Sequence, residues 1–219
     1  MLNIKCFVVN LVEENCYIVN DQTNEAIMID CGIMYDSEQK EIVDYITTNN
    51  LKLKHLVCTH SHFDHTMGCS RIYDIYGLKP QMHSADTELY INLQQQIQSI
   101  LGRNIPKSFT NIKTVPPDKT LAEGDEVLFG THKFNVISTP GHTPGGICFY
   151  CSEENILFSG DSLFCQSIGR TDFPGGNSHD LISSLKTKIL TLSDQTMVYP
   201  GHGPTTTIKN ERENNYFLR

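Results

Sequence analysis

The sequence predicts a mixed α/β fold in two halves of similar plan. Short apolar runs that are typical of strands alternate with segments whose apolar residues recur at helical spacing. Both halves of the chain contain several such strands together with helices. Periodicity alone does not decide how these elements are layered.

The first half predicts five strands and two helices. The strands are the apolar runs at positions 4–9, 16–19, 26–30, 56–58 and 79–82. The helices carry apolar residues at helical spacing, namely Ile42, Val43 and Ile46 and then Met67, Ile72, Ile75 and Tyr76. Gly77 is suited to end the second helix, because glycine adopts the left-handed conformation found at helix C-termini.

The segment between the halves predicts an amphipathic helix and then a loop. The apolar residues of the helix are Leu89, Leu93, Ile97, Ile100 and Leu101. We expect Ser84 or Asp86 to cap its start, and glutamines 94–96 and 98 to form a solvated face. Residues 103–117 contain three prolines and predict a loop beside a cleft, so residues 84–117 are a candidate lid.

The second half predicts further strands closed by a helix. The strands are the runs at 127–129, 133–137, 147–150, 156–158 and 197–199. The helix carries Leu181, Ile182, Leu185, Ile189 and Leu192. A chain of 219 residues can bury a substantial core, and we expect one domain over residues 1–219.

Composition agrees with a cytoplasmic protein that has neither a nucleic-acid nor a membrane partner. The formal charge of −8 and the absence of a basic run argue against a nucleic-acid partner. The sequence has no apolar run of membrane-spanning length and no export signal, so we expect no membrane association.

The one C-x-x-C, Cys148 to Cys151, lies in a predicted strand, where its cysteines would face opposite sides. No pattern predicts the oligomeric state.

The motif that carries chemistry is Thr59-His60-Ser61-His62-Phe63-Asp64-His65, which follows a strand directly. On a loop leaving a strand, His60 and His62 can converge on one ion, while Asp64 and His65 turn toward a second. Three further clusters also follow strand-like runs: Pro140-Gly141-His142-Thr143, Ser159-Gly160-Asp161-Ser162 and Pro200-Gly201-His202-Gly203. Nitrogen and oxygen ligands without thiolate predict a catalytic site for zinc, with iron or manganese as alternatives.

These motifs resemble the metallo-β-lactamase fold hydrolases, whose signature is T-H-x-H-x-D-H followed by separate His, Asp and His ligands. The resemblance implies a four-layer αββα sandwich with two divalent metal ions at one edge. It assigns His60, His62 and His142 to the first metal, Asp64, His65 and His202 to the second, and Asp161 to both. Asp64 is also the candidate catalytic residue, because it would orient the water shared by the metals.

Residues 159–164 and 167–173 resemble the short glyoxalase-II-like branch of that superfamily. In this branch a basic residue contacts glutathione at the position of Arg170, although pairing with Asp172 is an equal alternative. The sequence departs from the branch at Asp172 and Pro204, where tyrosines are expected. Residues 203–219 also contain no counterpart of the extension that completes a glutathione site, so the identity of the thiol stays open.

Three functions share such a site. The leading one is cleavage of a small thioester, such as S-lactoylglutathione or a related hydroxyacyl thioester, by a dinuclear-metal-bound hydroxide. The runner-up is an iron-dependent persulfide dioxygenase, which residues 169–173 also resemble, but that enzyme class uses one iron and His202 favours two metals. A lactonase or β-lactamase, acting with the same hydroxide on a cyclic ester or amide, is the third.

Overall fold

Two six-stranded sheets form the body of the computed structural model, which describes residues 1–102, 109 and 112–219. The first sheet holds six strands in chain order: β1 Asn3–Val9, β2 Glu14–Asn20, β3 Glu25–Ile29, β4 Lys52–Val57, β5 Pro80–His83 and β6 Lys119–Leu121. β1, β2 and β3 pair antiparallel, whereas β3 to β6 run parallel.

The second sheet has the order β14-β13-β10-β9-β8-β7. Its strands are β7 Glu126–Phe129, β8 His132–Ser138, β9 Ile147–Cys151, β10 Ile156–Gly160, β13 Met197–Pro200 and β14 Thr206–Thr207. All neighbours pair antiparallel except β10 and β13, which are parallel. A small ribbon of β11 Leu163–Phe164 and β12 Ser167–Ile168 follows β10.

Seven α-helices accompany the sheets in the part of the chain that is described. They are α1 Asp36–Thr48, α2 Phe63–Thr66, α3 Cys69–Tyr76, α4 Thr87–Ile91, α5 Leu93–Leu101, α6 Ser178–Ser184 and α7 Ile208–Asn214. α6 continues as a π-helical segment, Leu185–Ile189, and 3₁₀ turns cover Ser84–Asp86 and Tyr216–Leu218. None of the described helices combines the length and the apolar character needed to cross a membrane.

The two sheets pack face to face, and helices cover their outer faces. The core between the sheets contains apolar side chains from both, among them Val19, Ile27, Phe134, Phe149 and Phe158. Ile42 of α1 and Ile72 of α3 pack on the outside of the first sheet. Leu181 of α6 packs on the outside of the second. This layering confirms the αββα sandwich, since each sheet buries one face against its partner and the other against helices.

Most elements coincide with the sequence predictions. Cys148 and Cys151 lie on β9 and enter different cores, on opposite faces of the strand, as alternation predicts. The single helix predicted over residues 89–101 is wrong, because the chain breaks at Asn92, with φ −93° and ψ 27°, between α4 and α5. Of the predicted loop and candidate lid, residues 103–108, 110 and 111 lie outside the described residues.

Asp21 ties the turn between β2 and β3 to the turn between β7 and β8. The buried carboxylate accepts hydrogen bonds from the backbone N of Thr131 at 2.7 Å, the backbone N of Thr23 at 2.8 Å and Nδ1 of His132 at 3.0 Å. Burial alone would raise the pKa of Asp21, but these hydrogen bonds outweigh it and hold the pKa well below its ordinary value.

We therefore expect Asp21→Asn to destabilise the fold at neutral pH by about 1–3 kcal/mol, the loss of a hydrogen-bonded buried charge. Because the folded pKa is depressed, this stabilisation is complete above the unfolded pKa of about 3.9 and is lost as pH falls through the folded value. Urea unfolding at pH 7 and below pH 3 measures both effects. If the difference in unfolding free energy between Asp21→Asn and the unmodified protein does not shrink in acid, the stabilisation does not come from the ionised carboxylate of Asp21.

Candidate metal centre

The four predicted motifs meet at one edge of the two sheets. Each predicted ligand lies at or just beyond the end of an element: His60 and His62 after β4, Asp64 and His65 on α2, His142 after β8, Asp161 after β10 and His202 after β13. All seven converge on one region, because strands of both sheets end there. Their side chains form two groups joined by one carboxylate.

The first group consists of His60, His62 and His142. Their candidate ligand atoms lie within 4.8 Å of one another, and all three residues are buried. Nδ1 of His62 faces Nε2 of His142 at 2.8 Å. Burial together with the nearby His142 lowers the pKa of His62 to about 3, so its ring is neutral and can act as a ligand at physiological pH.

The second group consists of Asp64, His65 and His202. Nε2 of His202 lies 3.2 Å from Nε2 of His65 and 3.2 Å from Oδ2 of Asp64. Oδ2 of Asp64 lies 3.7 Å from Nε2 of His65. Two ring nitrogens and a carboxylate therefore surround a second small volume.

Asp161 lies between the two groups. Its Oδ1 is 3.3 Å from Nε2 of His65, whereas its Oδ2 is 3.5 Å from Nε2 of His142 and 3.7 Å from Nε2 of His202. Although burial opposes ionisation, the neighbouring His65 holds the pKa of Asp161 well below its ordinary value. The carboxylate is therefore charged and reaches both groups.

The outer nitrogens of three histidines are hydrogen-bonded, which determines the role of the inner ones. Nδ1 of His142 donates to the backbone O of Arg170 at 2.7 Å, and Nδ1 of His202 donates to the backbone O of Glu13 at 3.2 Å. Nδ1 of His65 lies 2.9 Å from Oδ2 of Asp30. Although burial opposes protonation, the nearby Asp161 and Asp30 raise the pKa of His65, so its ring carries a second proton that a metal ion would displace. Once that proton is gone, a ring that donates through Nδ1 offers the lone pair of Nε2, and the Nε2 atoms of all three rings point into the centre.

These donors fit two divalent cations. Among the described residues, Nε2 of His60 and Oδ1 of Asp161 are buried and have no hydrogen-bond partner. Buried polar atoms are normally satisfied, so two unsatisfied acceptors aimed at one volume indicate a missing positive partner. Imidazole and carboxylate donors without thiolate suit zinc, iron and manganese alike, so the donor set does not decide the metal.

Arg170 lies at the rim of the cleft above these groups. Its Nε and Nη2 donate to the two carboxylate oxygens of Asp172 at 2.8 and 2.7 Å, and its guanidinium stacks on Phe173 with Cζ 3.9 Å from the ring centroid. The ion pair between Arg170 and Asp172, which the sequence offered as the alternative to substrate contact, is therefore present. Both partners are exposed, at 56% and 68%, so contact with a substrate carboxylate stays a prediction.

Two adjoining cavities open beside the metal groups. The first, of about 400 Å³, is lined by His62, Asp64, His142, Asp161 and His202 together with apolar residues that include Val12 and Phe164. The second, of about 430 Å³, lies between α4, α5 and the segment 173–174. His62, Ile100 and Phe173 line both, so the two cavities adjoin at the first metal group.

Comparison with known proteins decides the family. Residues 9–202 match the model of the metallo-beta-lactamase superfamily. The chain belongs to this superfamily. It is 34% identical over 219 residues to a protein named hydroxyacylglutathione hydrolase GloC from Haemophilus influenzae, with 99% of this chain and 98% of that protein covered.

Two solved structures are also similar to this one. The crystal structure of BLEG-1, described as a B3 metallo-beta-lactamase, has a TM-score of 0.84 and 32% identity, covering 100% of this chain and 99% of that chain. The di-iron-bound form of TTHA1623 has a TM-score of 0.82 and 34% identity, covering 98% and 100%. The superfamily and the His and Asp groups together imply a dinuclear metal centre.

Asp30 is a buried residue of the centre that the sequence analysis missed. It accepts hydrogen bonds from the backbone N of Thr59 at 2.7 Å and from Oγ1 of Thr59 at 2.8 Å, in addition to its contact with His65. Oε1 of Glu14, also buried, lies 3.9 Å from the same Nδ1 of His65. A carboxylate that directly follows an apolar strand was the available signal, since Asp30 was read only as the last residue of that strand.

Two residues between β5 and β6 were assigned incorrectly from the sequence. Asp86 does not cap a helix through its side chain. It is buried, and its carboxylate accepts from Ser61 and from the loop after His142. Gln96 is not part of a solvated face but is 8% exposed and bonds the backbone beside His62. In both cases the side chain bonds residues that are distant in sequence, and the role predicted from local spacing is not the one it has.

Proposed function

We propose that the protein is a metal-dependent hydrolase that cleaves a small thioester, with hydroxyacyl thioesters such as S-lactoylglutathione as candidate substrates. The observation that carries the proposal is the complete second group, Asp64, His65 and His202, joined to the first by Asp161. A one-iron dioxygenase would need only part of this set. The similarity to a protein named hydroxyacylglutathione hydrolase supports the thioester.

In this proposal His60, His62 and His142 would hold one metal, Asp64, His65 and His202 would hold the other, and Asp161 would be available to both. Zinc is the first candidate, and the di-iron form of a similar protein keeps iron in the test alongside manganese. Two bound cations supply a water of lowered pKa and positive charge for a developing oxyanion. Asp64 would orient that water in addition to its role as a ligand.

The leaving group explains why a thioester suits these residues. A thiol of pKa about 8.5 departs as thiolate, so cleavage needs no protonated side chain beside the sulfur. The two adjoining cavities, of about 400 and 430 Å³, offer separate space for the acyl and thiol parts on either side of His62 and Phe173.

Composition and cysteine chemistry support the remaining proposals on partners and location. The formal charge of −8 favours a small-molecule substrate over nucleic acid. All eight cysteines are free, which is typical of a reducing compartment, and we propose that the protein acts in the cytoplasm. We also propose that residues 1–219 form one domain.

Metal analysis paired with two assays tests the function. Protein purified without added metal is analysed for its metal content, and is then assayed for S-lactoylglutathione cleavage and for oxygen uptake on glutathione persulfide. We expect two metal ions per chain, thioester cleavage and no oxygen uptake. One iron per chain with oxygen consumption would replace the hydrolase with the dioxygenase.

A cyclic amide or ester is the second candidate substrate. The similarity to BLEG-1, described as a B3 metallo-beta-lactamase, favours including it, because the same activated water would attack a lactam or lactone carbonyl. Assays on a penicillin and on a simple lactone separate the substrates. A kcat/KM on either that exceeds the value on every thioester tested would overturn the thioester assignment.

Arg170 provides a test of substrate charge. If its guanidinium binds a substrate carboxylate, Arg170→Ala should raise KM for a carboxylate-bearing thioester about tenfold and leave kcat unchanged. Asp172→Ala is the matched control, because it frees the guanidinium and should leave KM unchanged or lower it. Unchanged KM in Arg170→Ala, or equal damage in both variants, would assign Arg170 to the surface pair with Asp172 alone.

A further inference from the structure

Two buried side chains hold the backbone on both sides of His62. Oδ2 of Asp86 accepts from the backbone N of Ser61 at 3.0 Å. Nε2 of Gln96 donates to the backbone O of Ser61 at 3.0 Å, and Oε1 of Gln96 accepts from the backbone N of Phe63 at 2.5 Å. Three backbone groups flanking one candidate ligand are therefore fixed by residues outside the motif.

Asp86 also reaches the loop that carries His142. Its carboxylate accepts from Oγ1 of Thr143 at 2.7 Å and from the backbone N of Gly145 at 2.6 Å. One buried carboxylate thus joins the loops of His62 and His142, whose ring nitrogens face each other at 2.8 Å. A change in either anchor would move these two ligands relative to each other.

The second metal group has different anchors. Asp30 contacts His65, the backbone O of Glu13 accepts from His202, and Nδ2 of Asn10 donates to the backbone O of Asp64 at 3.0 Å. None of these contacts involves Asp86 or Gln96. The second group therefore keeps anchors of its own when Asp86 or Gln96 is changed.

We propose that Gln96 and Asp86 are positioning residues for the first metal, and that Gln96 sets the placement of His62. The amide suits this role because it supplies a donor and an acceptor at once, which neither a carboxylate nor an apolar side chain can do. Partners of metal ligands typically change metal affinity by 10- to 100-fold when they are removed. The inference rests on the proposed function, in that it assumes two bound metals.

The test separates the two metal sites by disabling one at a time. In a His202→Ala background, zinc affinity is measured by competition with a chromophoric chelator, with and without Gln96→Leu. We expect Gln96→Leu to weaken zinc binding at the first site about 10- to 100-fold. In a His142→Ala background, which leaves the second site, the same change should alter affinity less than about twofold, because that site has other anchors.

Gln96→Glu and Gln98→Leu are the companion variants. Glutamate keeps the acceptor for Phe63 but removes the donor to Ser61, so we expect an intermediate loss of first-site affinity. Gln98 lies on the same helix and is exposed, so Gln98→Leu should leave both affinities unchanged. Thermal unfolding of the metal-free proteins identifies any variant that fails to fold, and Gln96→Glu then carries the test.

Three results would overturn the inference. Gln96→Leu and Gln96→Glu could lower Tm while first-site affinity stays intact, which would reduce Gln96 to a purely structural residue. Equal losses of zinc affinity at both sites would show that Gln96 does not act on the first site selectively. A loss in Gln98→Leu as large as that in Gln96→Leu would show that the effect comes from any change in α5. If the unmodified protein binds no divalent metal, the proposed function fails first, which is a separate and distinguishable result.

Discussion

Asp161→Asn is expected to lower kcat/KM of the proposed hydrolase at least about 10³-fold, somewhat more than the 10²–10³ typical for one lost stabilising group at a reacting centre. The substitution keeps the shape of the side chain but replaces one carboxylate oxygen by an NH₂ group. The nitrogen of that group has no lone pair available to a metal ion. In the unmodified protein Oδ1 of Asp161 lies 3.3 Å from Nε2 of His65, and Oδ2 lies 3.5 Å from Nε2 of His142. An NH₂ at either place could donate to the lone pair of a ring nitrogen, which would then be lost to a metal, and it would present hydrogens instead of a lone pair to a cation.

Metal content and activity are measured on the same preparation of Asp161→Asn. We expect fewer than two metal ions per chain together with the loss of activity, because the substituted side chain can no longer offer an oxygen to both groups. Asp118→Asn makes the same change in charge at an exposed position and should alter neither quantity. An Asp161→Asn protein with two metals and full activity would show that Asp161 is not shared between the sites.

The convergence of the candidate ligands was largely predictable, because these residues lie in short local motifs. His60, His62, Asp64 and His65 lie within one loop and turn, and short-range geometry already separates them into two directions. The remaining ligands follow strand-like runs, and strand ends meet at a sheet edge. The layering of the sheets was not contained in periodicity and came from the resemblance of the motifs to a family.

Residues that support the ligands were not predictable from the same rules. Asp86 bonds groups 25 and 59 residues away, and Gln96 bonds a group 35 residues away. Local rules describe only near neighbours, so Asp86 was read as a helix cap and Gln96 as part of an exposed face. The same limit applies at Asn92, where helical spacing continues although the backbone leaves the helix. Tertiary contacts decide such positions.

Gly32→Ala is expected to damage the second metal group and the stability of the fold together. A Cβ at Gly32 would lie 1.8 Å from the backbone O of Asp64, 2.4 Å from Nδ2 of Asn10 and 2.6 Å from Oε2 of Glu14. The nearest atom belongs to the backbone, so the chain that carries Asp64 must move. Overpacking of this kind typically destabilises by about 1–3 kcal/mol or more, and here the displaced segment holds a candidate metal ligand.

Urea unfolding of the metal-free protein and zinc affinity in the His142→Ala background measure the two effects of Gly32→Ala separately. Gly77→Ala is the control, because Gly77 has φ 70° but nothing within 4 Å of a new Cβ. Its expected loss of about 1 kcal/mol comes from the left-handed backbone alone, with metal affinity unchanged. If Gly32→Ala loses stability while second-site affinity is unchanged, the segment holding Asp64 has relaxed without moving the ligand. The close approach of Gly32 would then serve packing and not the metal centre.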